Sequence, residues 1–382
     1  MIKGFKQVNV YLEDEGIVRK NIYIKGGKIS KISNDGDTTG LLEVDDNLVL
    51  VPGFIDEHIH GSGNCDAMDA TLDALHTISS TIASEGVSSF LITTMTQPKE
   101  DIERALINAK EFIEKNAHLG AKPLGIHLEG PFISVKHKGA QLESAIVKPN
   151  VDTFKYYQNL SGNHIKEVTL AYEEDGKELA NYLYKTNVVA SIGHTDATCD
   201  VTLDAFENGV TCATHTFNAM KGLHHREAGT VGACLLSDKV RCELICDLIH
   251  VSANAIKLLY KCKGKDKIIL ITDSMQAKHV SDGRYIFGGQ EVNVCNGAAR
   301  LLDGTLAGST LLMNKALKNI QSVLNLPFTD VINFATMNPA KNLGIYDKKG
   351  SIKEGKDADF ALIDRDFNVY MTISEGITVY KK

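Results

Sequence analysis

The sequence has 382 residues, 43% of them hydrophobic and 23% charged, and a formal net charge of −7. This balance is typical of a folded chain with a large buried core, and it gives no reason to expect nucleic acid or an anionic membrane surface as a partner. The first sixteen residues lack a signal-peptide core, and no uninterrupted apolar run is long enough to span a bilayer. Eight cysteines without a CxxC pair predict buried thiols in a reducing cytoplasm rather than a disulfide framework.

Both ends of the chain predict strands. Residues 8–12 alternate apolar and polar side chains, and NIYIKGGKISKIS is typical of a hairpin with Gly26-Gly27 at its turn. The C-terminal segment GSIKEGKDADFALIDRDFNVYMTISEGITVY has the same character. Because neither end can bury a core alone, we expect residues 1–51 and 345–382 to form one small β-sandwich domain.

The middle of the chain alternates short apolar, β-rich runs with stretches of helical character. The candidate strands are Val51–Asp56, Val87–Thr93, Pro123–Leu128, Glu167–Ala171, Val188–Ile192, Val210–Ala213, Val240–Cys246 and Lys267–Ile271. The clearest helical stretches are Pro98–Asn116, Ala197–Asn208 and Ser252–Cys262. Strands that alternate with helices imply parallel pairing and right-handed crossovers. We therefore predict an α/β fold with a (β/α)8 TIM barrel over residues 52–344, with a doubly wound open sheet as the structural alternative.

Potential metal ligands stand at the ends of five of these strands. His58 and His60 share one side of an extended strand, because residues i and i+2 point the same way. The complete set is His58, His60, Glu129, His194, His215 and Asp273. Barrel active sites lie at the carboxyl ends of the strands, so these side chains are expected to meet around one axis. Such a set can hold one or two divalent cations and leave a position open for water, which predicts metal-assisted hydrolysis.

The motifs around these residues resemble a known family. PGFIDEHIHG, GIHLEGPF, GHTDA, THTFNAM, LHHRE and ITDSM are similar to the amidohydrolase superfamily and, within it, to the N-acetylglucosamine-6-phosphate deacetylases. The resemblance extends over nearly the whole chain. It implies a (β/α)8 barrel with a β-sandwich built from both termini. It also implies hydrolysis of N-acetyl-D-glucosamine 6-phosphate to D-glucosamine 6-phosphate and acetate, in amino-sugar catabolism or recycling.

The resemblance also implies roles for the strand-end residues. Glu129, His194 and His215 match metal ligands, and the retained HxH pair indicates a second metal position. One or two divalent ions per chain are expected, and zinc, iron, manganese and cobalt all suit such ligands. Asp273 matches the catalytic aspartate, which would take a proton from the attacking water and give it to the departing amine.

The remaining matches are to substrate contacts. Arg226 matches a phosphate-binding arginine that family members contribute from a neighbouring subunit, which implies a homodimer. Gln141 stands where the family commonly has a histidine, so carbonyl polarisation is expected to depend more on a metal. Leu248 replaces a usual glycine and is expected to reshape the cavity floor beside His250. The expected substrate contacts are Ala140, Gln141, Asn218, Ala219, Arg226, His250, Leu306, Ala307 and Gly308.

The other histidines carry weaker expectations. His127 is expected to support the site from behind, and His224 and His225 are candidates for the phosphate pocket. Five histidines lack convergent partners and are expected to be structural or on the surface: His76, His118, His137, His164 and His279.

Three alternatives to the main functional prediction stay open. The substrate is the galactosamine isomer in the first and a cyclic amide in the second, although a phosphate-binding Arg226 and His250 disfavour simple cyclic amides. The third is a non-catalytic, metal-stabilised sugar-phosphate-binding protein. Such a protein would be free to lose its general base, whereas Asp273 is present.

Overall fold

The fold is seen in a computed structural model that describes residues 1–115 and 119–382. The chain begins with four strands: β1 (Gly4–Leu12), β2 (Gly16–Lys25), β3 (Lys28–Ser33) and β4 (Val49–Pro52). Strands and helices then alternate: β5 (Phe54–Ile59), β6 (Gly61–Ser62), β7 (Cys65–Asp66), α1 (Leu72–Ala83), β8 (Val87–Thr93), α2 (Lys99–Lys115), β9 (Lys122–Glu129), α3 (Val151–Leu160), β10 (Ile165–Leu170), α4 (Lys177–Lys185), β11 (Val189–Ile192), α5 (Cys199–Glu207), β12 (Val210–Ala213), α6 (Gly229–Leu236), β13 (Arg241–Ile245), α7 (Ala253–Lys263) and β14 (Ile268–Ile271). The last stretch comprises β15 (Gly283–Phe287), β16 (Gln290–Cys295), β17 (Ala298–Leu301), β18 (Leu306–Ser309), α8 (Met313–Leu324), α9 (Phe328–Asn333), α10 (Met337–Asn342), β19 (Phe360–Ile363), β20 (Val369–Ser374) and β21 (Ile377–Lys381).

Eight parallel strands form the barrel, in the order β5-β8-β9-β10-β11-β12-β13-β14. The barrel closes between its last and first strands, where the Asp273 amide donates to the His58 carbonyl at 2.8 Å. The amide of His60 donates to the carbonyl of Ser274 at 2.9 Å on the same seam. The (β/α)8 prediction is therefore confirmed, and the open-sheet alternative is wrong.

Most predicted strands and helices agree with the structure to within a few residues, but the first barrel strand does not. The predicted Val51–Asp56 run divides at Gly53 between β4, which belongs to the terminal sheet, and β5, which belongs to the barrel. An added Cβ at Gly53 would lie 2.2 Å from the Ser88 hydroxyl, so the crossing between sheets requires the smallest residue. His58 consequently lies within the barrel strand rather than after it.

The two termini form one hydrogen-bonded sheet in the order β21-β20-β19-β4-β1-β2-β3. As predicted, the Gly26-Gly27 turn joins β2 to β3, with φ values of +60° and +75° that a two-residue hairpin turn requires. This sheet has its own apolar cluster, separate from that of the barrel. We accordingly propose the division into residues 1–51 with 345–382 and a barrel of residues 52–344.

A four-stranded antiparallel sheet, β15 to β18, follows the last barrel strand and was not predicted. Its apolar cluster joins Phe287 to Met95 and Met275 at the carboxyl end of the barrel. The sequence does hold a signal for it, because Asn296-Gly297 forms the two-residue turn between β16 and β17. The sheet therefore adds a wall beside the carboxyl ends of the barrel strands.

The expectation that the cysteines are buried holds for only some of them. Four cysteines are buried, but Cys262 and Cys295 are exposed, against the expectation of buried thiols throughout. Within the two described ranges, no helix combines the length and apolar character needed to cross a membrane. His118 and the last residue of the predicted helix Pro98–Asn116 lie outside the described residues.

Candidate active site

A cavity of about 310 Å³ opens at the carboxyl ends of the barrel strands. This is where barrel enzymes place their chemistry, since loops from several strands converge there. Its lining residues are His60, Met95, Glu129, Lys136, His137, Gly139, Ala140, Gln141, His194, His215, Asn218, Ala219, His250, Asp273, Phe287, Thr305, Leu306 and Gly308. Five of the six predicted metal-ligand residues are in this set, and His58 lies buried behind them.

Glu129 is the centre of the polar cluster. It is the last residue of β9, and its Oε1 lies 3.3 Å from His194 Nε2 and 3.2 Å from His215 Nε2. Its other oxygen, Oε2, lies 3.3 Å from His60 Nε2. Glu129, His194 and His215 thus form one group of donors that could hold a metal ion.

A second donor group shares Glu129 with the first. It consists of His58, His60 and Glu129, and Asp273 Oδ1 lies 3.2 Å from His60 Nε2 and 3.5 Å from His58 Nε2. The His58 Nε2 atom is fully buried and has no hydrogen-bond partner among the described residues. An orphaned imidazole nitrogen that faces carboxylates fits a divalent metal, because a cation removes the cost of leaving it unpaired.

Glu243 orients His58, a role that was not predicted from the sequence. Its Oε2 lies 3.0 Å from His58 Nδ1 and accepts a hydrogen bond from the His215 amide at 2.9 Å. A carboxylate on Nδ1 selects the tautomer in which Nε2 is free to bind a metal. The available signal was an acidic residue between the apolar Cys242 and Leu244 in β13.

Two further histidines support the cluster. The carbonyl of His137 lies 2.8 Å from His194 Nδ1, which leaves Nε2 of His194 facing Glu129. His127 packs behind the site as expected, with its ring centroid 4.6 Å from that of His58. His137 was expected to be structural or on the surface, but it lines the cavity, so that expectation is wrong.

Three site residues have left-handed backbone conformations that are uncommon for residues other than glycine. The φ angles are +48° at His194, +30° at His215 and +47° at Asp273. Each residue stands two positions beyond the end of its barrel strand. At Asp273 two backbone hydrogen bonds hold the conformation: its amide donates to the His58 carbonyl, and the Ser309 amide donates to its own carbonyl at 2.8 Å. Such strain concentrates where function requires a particular side-chain direction.

The imidazoles and carboxylates of the cluster shift one another's pKa values. Burial works against the charged form of His60, but hydrogen bonds to Asp273 and Glu129 raise its pKa to about 9. Burial alone would raise the pKa of Asp273, whereas the charge of His58 and the contact with His60 lower it to about 2. In the metal-free protein, positive charge on the imidazoles therefore balances the carboxylates. A bound metal ion would replace those protons.

Deeper in the barrel lies a group of carboxylates that the sequence analysis did not single out. Glu57, Glu167 and Glu243 meet there with Cys212, and all four are unexposed. Both carboxylate oxygens of Glu167 lack a hydrogen-bond partner among the described residues. Burial, and then the charge of Glu243, raise the pKa of Glu167 well above its ordinary value.

Seven of the nine predicted substrate contacts line the cavity, and Ala307 is buried beside them. Gly308 lies so close to the site that an added Cβ would be 3.2 Å from the Asp273 carbonyl. His250 is oriented by Asp247, whose Oδ2 lies 2.6 Å from its Nδ1.

Arg226 and Leu248 do not line the cavity. Arg226 is exposed, and its Nη1 lies 2.7 Å from Nε2 of the exposed His225. The expectation that Leu248 reshapes the floor is wrong, because its side chain is 44% exposed. The φ angle of Leu248 is +67°, in the left-handed region that glycine adopts readily. A glycine at this position would therefore ease the backbone conformation rather than widen the cavity.

A basic loop after β9 also reaches the cavity, through Lys136 and His137. Both side chains contact Asp196, at 2.7 Å from Lys136 Nζ and 3.2 Å from His137 Nε2. The run SVKHKG was the signal that could have found them. Met95, Gly139, Phe287 and Thr305 are further lining residues that the sequence analysis did not name.

Comparisons with known proteins agree with this geometry. A model of the amidohydrolase family matches residues 49–379. The chain is 44% identical to N-acetylglucosamine-6-phosphate deacetylase of Bacillus subtilis, over 97% of this chain and 95% of that protein. It is 36% identical to N-acetylgalactosamine-6-phosphate deacetylase of Escherichia coli, over 86% of this chain and 87% of that protein. A mutant N-acetyl-D-glucosamine-6-phosphate deacetylase of Mycobacterium smegmatis, in complex with N-acetyl-D-glucosamine-6-phosphate, has a TM-score of 0.92 and 26% identity, covering 99% of this chain and 100% of that chain.

Proposed function

The chain belongs to the amidohydrolase family, and we propose that it hydrolyses N-acetyl-D-glucosamine 6-phosphate to D-glucosamine 6-phosphate and acetate, in amino-sugar catabolism or recycling. The observation that carries this proposal is the convergence of four histidines, Glu129 and Asp273 at the carboxyl end of the barrel. The 44% identity to a deacetylase of that substrate, over nearly the full length of both chains, supports the same reaction.

The two donor groups support a site for up to two divalent metal ions per chain. Glu129, His194 and His215 would hold one ion and His58 and His60 the other, and Glu129 belongs to both donor groups. Zinc, iron, manganese and cobalt all suit imidazole and carboxylate ligands. When bound, such a metal supplies an acidified water and polarisation of the acetyl carbonyl.

Asp273 is the proton carrier of the proposed reaction. Positive charge beside Asp273, on His58 and His60 or on a bound divalent ion in their place, favours its ionised form at neutral pH, so it can accept a proton from the attacking water. Its position on the cavity wall lets it pass that proton to the amine as the carbon–nitrogen bond breaks. The amine then leaves as the neutral base together with acetic acid, and the proton of that acid passes to the amine or to solvent, which leaves acetate as the other product.

We propose that the phosphate is bound by His250 within the chain and by Arg226 of a second copy. His250 lines the cavity, whereas Arg226 is exposed outside it, so its guanidinium is available to a neighbouring subunit. Leu223, Leu248 and Ile249 are exposed in the same loops at the carboxyl end of the barrel, with exposures of 56%, 44% and 39%. These apolar side chains would be covered in a homodimer. The four buried free thiols fit a cytoplasmic location.

Acetate release by the purified, metal-loaded protein tests the proposal. The substrates are N-acetylglucosamine 6-phosphate, its galacto isomer and the unphosphorylated sugar. We expect the first to be preferred. The Escherichia coli relative makes preference for the galacto isomer the second candidate function. Tight binding of the sugar phosphate without acetate release would instead identify a non-catalytic binding protein.

A further inference from the structure

We propose that Gln141 is a positioning residue for Glu129, and that the four-stranded sheet β15–β18 stabilises the metal centre through the loop that carries Gln141. The proposal rests on the proposed function insofar as Glu129 binds metal. It assigns to Gln141 a role in metal binding in place of the substrate contact expected from the sequence.

Both polar ends of the Gln141 side chain are already occupied. Its Nε2 donates to Glu129 Oε2 at 2.7 Å, and its Oε1 accepts a hydrogen bond from the Thr96 amide at 2.6 Å. The residue is only 2% exposed. A side chain held at both ends and buried is suited to fixing a neighbour rather than to following a substrate.

The contact with Gln141 distinguishes the two oxygens of Glu129. Oε1 faces the imidazoles of His194 and His215, whereas Oε2 receives the Gln141 amide and faces His60. Without the amide, rotation about the last side-chain bond of Glu129 would be less restricted, and both donor groups would lose a fixed carboxylate. Loss of a hydrogen bond that orients a metal ligand typically weakens metal binding by about 10–100-fold.

The loop that carries Gln141 is itself held from the other side by the four-stranded sheet. Gln290, at the start of β16, donates its side-chain amide to the Ala140 carbonyl at 2.7 Å. At Gly288 an added Cβ would lie 3.0 Å from the same carbonyl, so sheet and loop are in close contact. The same loop offers the His137 carbonyl to His194. One loop therefore orients two metal ligands, and the sheet holds that loop in place.

The test measures metal affinity directly, by competition with a chelator, so that it does not depend on turnover. Gln141→Leu keeps the approximate volume and removes both hydrogen bonds. We expect it to weaken metal binding by roughly 10–100-fold, while KM at saturating metal changes by less than about threefold. Gln97→Leu is the matched control, because Gln97 follows Thr96 in the chain and has no hydrogen bond to a metal ligand among the described residues. It should leave metal affinity unchanged.

Gln290→Leu is the second variant, and it remains informative if Gln141→Leu fails to fold. It should weaken metal binding in the same direction but less, since it acts through the loop. Unchanged metal affinity in both variants would overturn the proposal. A raised KM as the main effect of Gln141→Leu would also overturn it and would show that Gln141 is a substrate contact. A wild-type protein that binds metal without releasing acetate would refute the proposed function but leave this inference standing.

Discussion

Nδ1 of His58 and Oε2 of Glu243 lie 3.0 Å apart, and neither side chain is exposed to solvent. The two residues are 185 positions apart in the chain and stand on the first and seventh strands of the barrel. The pair links the metal-facing histidine to the carboxylate group deeper in the barrel. It makes the orientation of His58 depend on a residue that does not line the cavity.

Glu243→Gln is expected to weaken metal binding by roughly 10–100-fold, because a neutral amide oxygen accepts the Nδ1–H hydrogen bond more weakly than a carboxylate and leaves Nε2 of His58 a less basic ligand. Chelator competition measures the change, and circular dichroism checks the fold. His164→Gln is a control that removes a partly exposed histidine contact far from the cluster. Equal metal affinity in wild type and Glu243→Gln would show that the pair is only structural.

Replacing both His58 and His60 with Asn is expected to reduce the metal content by one ion per chain. The other donor group, which contains His194 and His215, remains intact in this variant. Elemental analysis of the purified protein gives the stoichiometry. Unchanged metal content in the double variant would refute the assignment of a separate position to the HxH pair.

Asp273→Asn is expected to lower kcat by at least about 10²-fold, the usual lower contribution of a general acid–base group. The amide keeps the shape of the carboxylate but cannot carry the proton. Substrate binding should survive, since phosphate and sugar contacts lie elsewhere in the cavity. A variant with kcat within a few-fold of wild type and the same metal content would require another proton carrier.

Arg226→Ala is expected to raise KM strongly for the phosphorylated sugar and little for the unphosphorylated one, because removing one partner of a buried, charge-assisted contact costs about 2–5 kcal/mol of binding. Mixed dimers of one Arg226→Ala subunit and one Asp273→Asn subunit show which subunit supplies the arginine to a site. If Arg226 acts on the partner's site, each mixed dimer regains one complete site, and activity at low substrate exceeds that of both parents. No recovery on mixing would place Arg226 in its own subunit or outside the site.

Glu167→Gln is expected to stabilise the fold at neutral and alkaline pH. The raised pKa of Glu167 means that the folded state holds a proton which the unfolded state releases above the ordinary carboxyl pKa of 4.5. The wild type therefore loses stability as the pH rises above that value, whereas the amide does not titrate. Thermal unfolding at several pH values should show the gain at pH 8 and little difference near pH 4. A lower unfolding temperature for the variant at pH 8 would contradict this.

Much of this molecule was predictable from local patterns. Apolar runs that alternate with helical stretches predicted the barrel, because a parallel strand must be covered on both faces. The strand-end positions of His194, His215 and Asp273 predicted their convergence, since the carboxyl ends of barrel strands meet at one face. The glycine pair at residues 26–27 predicted its hairpin, because that turn is decided by two adjacent residues.

Other features were decided only by the tertiary structure. The division at Gly53 depends on two sheets that approach each other, and in the sequence Gly53 lies within a single apolar run, residues 48–55. The partners of Gln141 and Glu243 are set by which strands and loops become neighbours, and neither contact has a local signature. Local composition therefore determined the elements and the chemistry at their ends. The orientation of each ligand came from contacts between residues distant in sequence, because hydrogen-bond direction depends on the packed arrangement of the whole barrel.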